Sequence, residues 1–542
     1  MKTRWKILIG MVLFMVLVTG LALVTMHLEP ENAVEAYKKL LRAKGEKLTL
    51  SEVLPPPVPP ESNSVTAVQA AFGMLGSGSQ KIPDAMKMVA PGKALIGWQQ
   101  PEARGYDFTN TWSEFSAEVE TNRPMFELLQ CALDFPRLDF RLDYRLGTEL
   151  PLLHLGPMKR VALKLSAAAV CDLHHGNSAA ATTNIVTMLG LVQKNEGEGV
   201  LISHLVRLAI TAIAVTPTWE LLQNTNATDK QLARIQNSWE ALGFFRDTEY
   251  AITIERISIN DVIQKSRTSH ENFEKFFGMT ASMSSSGSSK SIWSWPPDWE
   301  AMTENPRLMV TEGMWRSSWS YSVELHALQS QQLLLEALRA MQTNQSQNYQ
   351  TDYNAILPRL AALGGNRATR AFFRAVKIPD LREMFMDWGT SSAVQKAIRA
   401  ETARRIVITA IALKRFQLKH AHLPETLAAL VLAFIPSVPI DPEAGRPLCY
   451  RRNADGTFLL YSVGEDGKDD GGDATHTSSS GSSSLAWQHV QARDWVWPQP
   501  ATEAEIKLYL DKLDQDARDP ATGLLLHPPQ PVTAPVQPAG TN

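Results

Sequence analysis

Pro157-Met158-Lys159-Arg160-Val161-Ala162-Leu163-Lys164-Leu165-Ser166-Ala167-Ala168-Ala169-Val170-Cys171-Asp172-Leu173-His174, then His175-Gly176-Asn177, then Ser178 through Gln193, is the stretch that decides the fold class. Ala162, Leu165, Ala169 and Leu173 recur at the three-to-four spacing of one helix face, which predicts a helix over Met158 to His174. His175-Gly176-Asn177 reads as a C-cap turn, because Gly reaches the left-handed conformation without a Cβ penalty. Ala181, Ile185, Met188, Leu189 and Val192 mark a second helix. Asn195-Glu196-Gly197-Glu198-Gly199 breaks it, and Leu201, Leu205, Leu208 and Ile213 mark a third that is expected to end near Thr216-Pro217. Helices joined by such short loops are expected to pack antiparallel. The prediction is a mainly α protein whose body is built of antiparallel helical hairpins.

Working outward, the same punctuation continues. Upstream, Asn32 to Lys44 predicts a short charged helix, with Val34, Tyr37, Leu40 and Leu41 on one side. Leu54-Pro55-Pro56-Pro57-Val58-Pro59-Pro60 favours polyproline II and reads as a stiff stalk that lifts the body off its support. Residues 61–155 are poorly periodic, with one helix expected from Thr111 to Cys131. Downstream, one helix is expected from Thr228 to about Lys265. Residues 278–297, rich in Ser and ending in Trp293, Trp295, Pro296 and Pro297, read as a surface loop. Helices are expected again at about 313–343, 352–363 and from Ser391 to Lys419. The Gly-Asn turn inside a helical hairpin resembles tetratricopeptide-type repeats, but the chain lacks their period of about 34 residues.

The N-terminus carries a targeting signal. Lys2, Arg4 and Lys6 precede Ile7 to Met26, a run without a charged side chain, and Glu29, Glu31 and Glu35 follow it. Such a run covers about 30 Å as a helix, the thickness of a bilayer core. The charge flanks predict a cytoplasmic N-terminus and an exported body, with lipid contacts through residues 7–26. Gly20-Leu21-Ala22 offers the competing reading of a cleaved signal peptide, yet Leu23, Val24 and Met26 extend the apolar run beyond it. No second stretch of this length is expected. Location follows as the cytoplasmic membrane, single-pass, body on the periplasmic side.

The C-terminal third carries an ordered series of motifs. A helix with Thr402, Ile406, Ala410 and Leu413 on one face has Arg399, Arg404, Arg405, Lys414, Arg415 and Lys419 elsewhere. It leads to His422-Leu423-Pro424-Glu425-Thr426-Leu427-Ala428-Ala429-Leu430, then to Ile440-Asp441-Pro442 and Arg446-Pro447-Leu448-Cys449-Tyr450-Arg451-Arg452. Asn453-Ala454-Asp455-Gly456 predicts a turn, and Phe458 to Gly464 a second strand. Glu465-Asp466-Gly467-Lys468-Asp469-Asp470-Gly471-Gly472-Asp473 closes the unit. This order resembles the globular part of major pseudopilins of type II secretion, over about residues 391–473. The whole chain also resembles uncharacterised membrane-anchored proteins of planctomycete- and verrucomicrobia-like bacteria. The resemblance implies a small α+β pilin-like module and an accessory role in a secretion or pilus-like machine. Ile7–Met26 has no acidic residue and the pilin-like helix is internal, so polymerisation as a pilin is not expected.

Asp466, Asp469, Asp470 and Asp473 put four carboxylates among three turn-forming glycines. Calcium takes six to eight oxygens, which such a loop can supply, and the resemblance points the same way. The terminal Glu of an EF-hand is missing, and a solvated Asp-Gly turn is the competing reading. Other chemistry is sparse. The chain has no His-Glu-x-x-His helix, Gly-x-Ser-x-Gly elbow or Walker loop. His174-His175 and His420-x-His422 read as helix-end residues, and Trp293, Trp295, Trp299, Trp315 and Trp319 as core or docking residues. Cys131, Cys171 and Cys449, each amid apolar neighbours, read as buried thiols, with one disulfide as the alternative.

Composition bounds the rest. With 44% hydrophobic and 20% charged residues the chain is neither wholly disordered nor polytopic. A net charge of −3 gives no global reason to bind nucleic acid. The organisation expected is 1–27 cytoplasmic tip and anchor, 28–62 helix and stalk, 63–390 helical body, 391–473 pilin-like module, and 474–542 Ser-rich linker, short helix and Pro-rich tail. The function expected is binding or scaffolding through the helical body with a protein partner. The alternatives are the secretion accessory and a hydrolase of an envelope polymer, which a buried pair of acids in a pocket would favour.

Overall fold

The structure, a computed structural model, describes residues 29–76, 81–284, 312–343, 347–363, 390–475 and 493–516. These residues are mainly α-helical, with a small sheet-containing C-terminal part. Helices Leu155–His174, Ser178–Lys194 and Leu201–Leu222 pack on one another and form the centre. The turn between the first two works as its residues demand. Gly176 has φ +75°, and the Asn177 side chain accepts from the Ala180 N–H at 3.0 Å.

The third helix does not end at Thr216-Pro217. It runs through Pro217 to Leu222. A proline there costs a backbone hydrogen bond, but stopping would expose the next turn. Trp219 and Leu221 are wholly buried, and the Trp219 indole N–H donates to the Pro498 carbonyl at 2.9 Å. Leu201–Leu222 is thereby long and apolar enough to cross a membrane, contrary to the expectation that no second stretch would be. Two-thirds of its apolar window lies inside the body, and it buries His204, Arg207 and Glu220.

Other boundaries move for local reasons. The helix expected over Thr111–Cys131 is two, Trp112–Thr121 and Arg123–Ala132, because Pro124 suits only a first turn. Thr111 and Glu114 form a capping box on the first. The helix expected over Thr228–Lys265 is also two, Asp229–Glu240 and Phe245–Lys265, separated around Gly243. A π-turn at Trp315–Trp319 leads into Ser320–Thr343, and Tyr349–Leu363 follows.

The segments on either side of the Pro-rich run both dock on the body. A helix over residues 29–43 lies on Ser320–Thr343, with Val34 and Leu41 fully buried against Leu328. Beyond it Glu46 is buried among Arg256, Gln332 and Arg339. Burial works to raise the Glu46 pKa, but the hydrogen bonds from these three donors outweigh it and hold it at about 2. On the far side of the prolines, the Asn63 amide donates to the Asp139 carbonyl at 2.8 Å and helix Val65–Gly73 packs on Arg123–Ala132. The Pro-rich run therefore links two docked parts of the body.

The expected anchor at 7–26 and the expected Pro-rich tail lie outside the described residues. Helix His270–Ser284 takes the first part of the range 278–297 expected as a loop, and the rest of that range and most of the expected 474–485 linker also lie outside them.

At the C-terminal end, helix Thr390–His420 leads through a 3-10 turn at Leu427–Leu430 to the expected hairpin. Strands Cys449–Arg452 and Phe458–Ser462 pair antiparallel, with Cys449 opposite Tyr461 and Arg452 opposite Phe458. Gly456 turns it at φ +82°. Two later segments were not anticipated. Trp495–Val496 adds a third strand beside Phe458–Ser462. Gln499–Pro500 then pairs parallel with Lys93–Ala94, itself paired with Met88–Ala90. Strands of two or three residues are too short to show alternation in the sequence. One hydrophobic core runs from Val68 to Phe244 and on through Ala397–Phe416, Leu430, Leu460 and Trp497, so the C-terminal part shares the core of the body.

Candidate functional site

Helix Thr390–His420 is buried over most of its circumference, so its cations need partners. Arg404 and Arg405 both bond Glu401, at 2.8 and 2.7 Å. Arg399 pairs with Glu465, and Arg415 with Asp229 at 2.8 Å. Lys419 lies 5.7 Å from the centre of the Phe434 ring. Lys414 differs. It is half-buried and has no hydrogen bond or ion pair with a described residue. Burial alone pushes its pKa down.

Lys414 lines a cavity of about 100 Å³ together with Leu222, Gln223, Ala410, Gln417, Phe458 and Trp497. Three elements build it. Ala410, Lys414 and Gln417 sit one and two turns apart on one helix face. Leu222 and Gln223 end the helix that overran Pro217, and Phe458 and Trp497 come from the small sheet. Gln223 donates its amide N–H to the Trp219 carbonyl at 3.0 Å. The site thus offers one cation, two amides and two aromatic walls. It is well below the 300–1,000 Å³ typical of drug-sized ligands. It admits a few waters or one small group.

None of these residues stood out in the sequence. The one available signal was Lys414 one turn from Ala410, a residue assigned to the apolar face. Phe458 and Trp497 have no sequence relation to it.

Three of the four loop aspartates have partners of their own. Asp469 accepts from the Tyr461 hydroxyl at 2.8 Å and the Gly471 N–H at 3.1 Å, with Arg446 at 3.4 Å. Asp473 accepts from the Thr475 N–H at 2.9 Å and faces Arg493 at 3.3 Å. Asp466 accepts from the Lys468 N–H at 3.0 Å, and Asp470 is exposed. The loop is organised instead by Asp494. Its buried carboxylate accepts from the N–H groups of Gly472 at 2.7 Å, Asp473 at 3.1 Å and Asp470 at 3.4 Å. Among the described residues no three His, Cys, Asp or Glu side chains form a group able to hold a metal ion, so side-chain placement lends calcium no support.

Buried acids exist, but they bind the chain to itself. Asp441 accepts from the Glu443 N–H, the Ser462 hydroxyl and the Val463 N–H at 3.0, 2.8 and 3.0 Å. Beside it, one Glu443 oxygen accepts from Thr402 at 3.2 Å and the other has no partner among the described residues. Burial, then Asp441 and Glu465, push the Glu443 pKa up to about 8. Neither acid lines the Lys414 cavity. His154 and Glu198 form a buried pair at 2.8 Å under Phe140. His174 bonds the Trp98 carbonyl at 2.8 Å and stacks on Trp112, while His175 bonds the Cys171 carbonyl at 2.8 Å. His420 and His422 flank Phe416. Trp315 is a core residue whose indole donates to Ser266 at 2.9 Å, and Trp293, Trp295 and Trp299 lie outside the described residues. All three cysteines are free thiols. Cys171 is buried, but Cys449 is half-buried and Cys131 exposed, because Cys131 falls on the outer face of Arg123–Ala132.

Compared with known proteins, the chain matches no family model, no curated protein and no solved structure.

Proposed function

We propose that this protein is a binding or scaffold protein held close to the outer face of the cytoplasmic membrane, with residues 7–26 as its anchor and the helical body facing a protein partner. The docking of residues 29–43 supports this reading most. Met26 is only three residues from Glu29, a span of at most about 11 Å. The body begins there, fixed by Val34, Leu41 and the Glu46–Arg256 ion pair at 3.1 Å. A hydrophobic run joined so tightly to a rigid body suits a permanent tether better than a leader to be removed. Alkaline carbonate extraction tests it. The 542-residue chain should stay with the membrane pellet and a chain starting at Glu29 should be released. Release of both would refute the tether.

A second reading, an accessory of a type II secretion or pilus-like machine, draws on the C-terminal part. The order of long helix, Leu427–Leu430 turn, antiparallel hairpin and acidic loop is the one that prompted the pseudopilin resemblance. Cross-linked purification from membranes discriminates: recovery of secretion-machine subunits favours it, and their absence opposes it.

A further inference from the structure

We propose that the cavity around Lys414 is a carboxylate-binding site, in which a single small carboxylate pairs with the Lys414 ammonium between the Phe458 and Trp497 rings. Three observations carry this. First, among the paired cations of its helix Lys414 is left without a partner among the described residues, although it is half-buried. A half-buried ammonium without an anion or acceptor is unfavourable, and an incoming carboxylate relieves that cost. Second, the Gln417 side chain lines the same cavity without a hydrogen bond to a described residue, so its N–H groups remain to be used. Third, the volume of about 100 Å³ suits a planar carboxylate and a short carbon stem. The depressed Lys414 pKa is the free-site signature expected of such an arrangement.

The carboxylate has two sources, a free small acid or an acidic end of a protein chain. The proposal does not depend on the membrane reading, since it concerns the body alone. The test uses the 542-residue chain in detergent micelles. Lysine acetylation is followed residue by residue by mass spectrometry, with propionate, propionamide, a short peptide ending in a free alanine carboxylate, and its C-terminal amide. Propionate should slow acetylation of Lys414 at least fivefold without protecting exposed Lys396, and propionamide should not. Protection by the free-acid peptide at tenfold lower concentration than propionate assigns a protein terminus, and the reverse order assigns a free acid. Saturation-transfer signals from propionate should fall at least tenfold in Lys414→Met, with an unchanged circular dichroism spectrum. Equal acetylation of Lys414 under all four additions, or undiminished propionate signal in Lys414→Met, would overturn the site.

Discussion

Glu220 on the central helix accepts the Gly97 backbone N–H at 2.9 and 3.1 Å on its two oxygens, and the Met86 N–H at 2.6 Å on the first. The carboxylate is wholly buried, so one side chain fastens the 86–97 segment to the helix centre. Gly97 is required for this approach, since a Cβ there would lie 2.4 Å from the Asp84 carbonyl oxygen.

Burial pushes the Glu220 pKa up to about 7, against the pull of its N–H donors. A carboxyl whose folded pKa is raised contributes most below its unfolded value near 4.5, and that contribution fades as pH rises through 7. Glu220→Gln should flatten the stability profile between pH 5 and 8 in urea titrations. Glu220→Ala should cost about 2–4 kcal/mol at pH 5 by leaving buried N–H groups unpaired. Equal pH slopes in wild type and Glu220→Gln would contradict the assignment.

Glu443 has the same sign with a wider window, from about 4.5 to about 8. Glu443→Gln removes a charge that the site resists at alkaline pH. The variant should match wild type near pH 5 and be more stable by roughly 1–3 kcal/mol at pH 9. Thermal melts across this range check it, and a variant less stable than wild type at pH 9 would count against the reading.

Trp219 ties the central helix to the Pro498 carbonyl, and thereby to the strand of Gln499–Pro500. Trp219→Phe keeps most of the buried ring and loses the hydrogen bond, at about 0.5–1.5 kcal/mol. Trp219→Ala should cost about 3–5 kcal/mol. Faster amide exchange at Gln499 and Ala501 in Trp219→Phe is the expected local sign, because their N–H groups bond Gly92 and Ala94 at 2.9 and 2.8 Å.

Arg256 is fully buried between Glu46, the Lys47 carbonyl at 2.9 Å and Gln332 at 2.9 Å. Breaking a buried pair by removing one partner costs about 3–5 kcal/mol. Arg256→Met should therefore free the 29–43 helix before the rest unfolds. Hydrogen exchange should rise across residues 29–46 while Leu155–His174 stays protected. Uniform protection loss would place Arg256 in the global core instead.

The legible part of this fold was local. Periodicity over Pro157–Gln193 predicted the central helices to within three residues, because an apolar stripe and a Gly-Asn turn act through near neighbours. Pro217 misled, since its local cost is real and its compensation, the burial of Trp219 and Leu221, comes from segments distant in sequence. The loop aspartates were visible as a cluster. That Tyr461, Arg446 and Arg493 would occupy them, and Asp494 organise the loop, was not.

The sequence by itself determined the helical class, the hairpin at 449–462, the near-neutral charge and the apolar run at 7–26, all properties of neighbouring residues. Tertiary structure alone decided that the Pro-rich run joins two docked segments, that the C-terminal part shares the body's core, and that Lys414 lacks a partner among the described residues. The reason is physical. A helix or a turn is selected by contacts within a few residues, whereas a buried charge is satisfied or stranded by whatever the whole chain brings to it. For Lys414 the described residues bring Gln223, Phe458 and Trp497, and no anion.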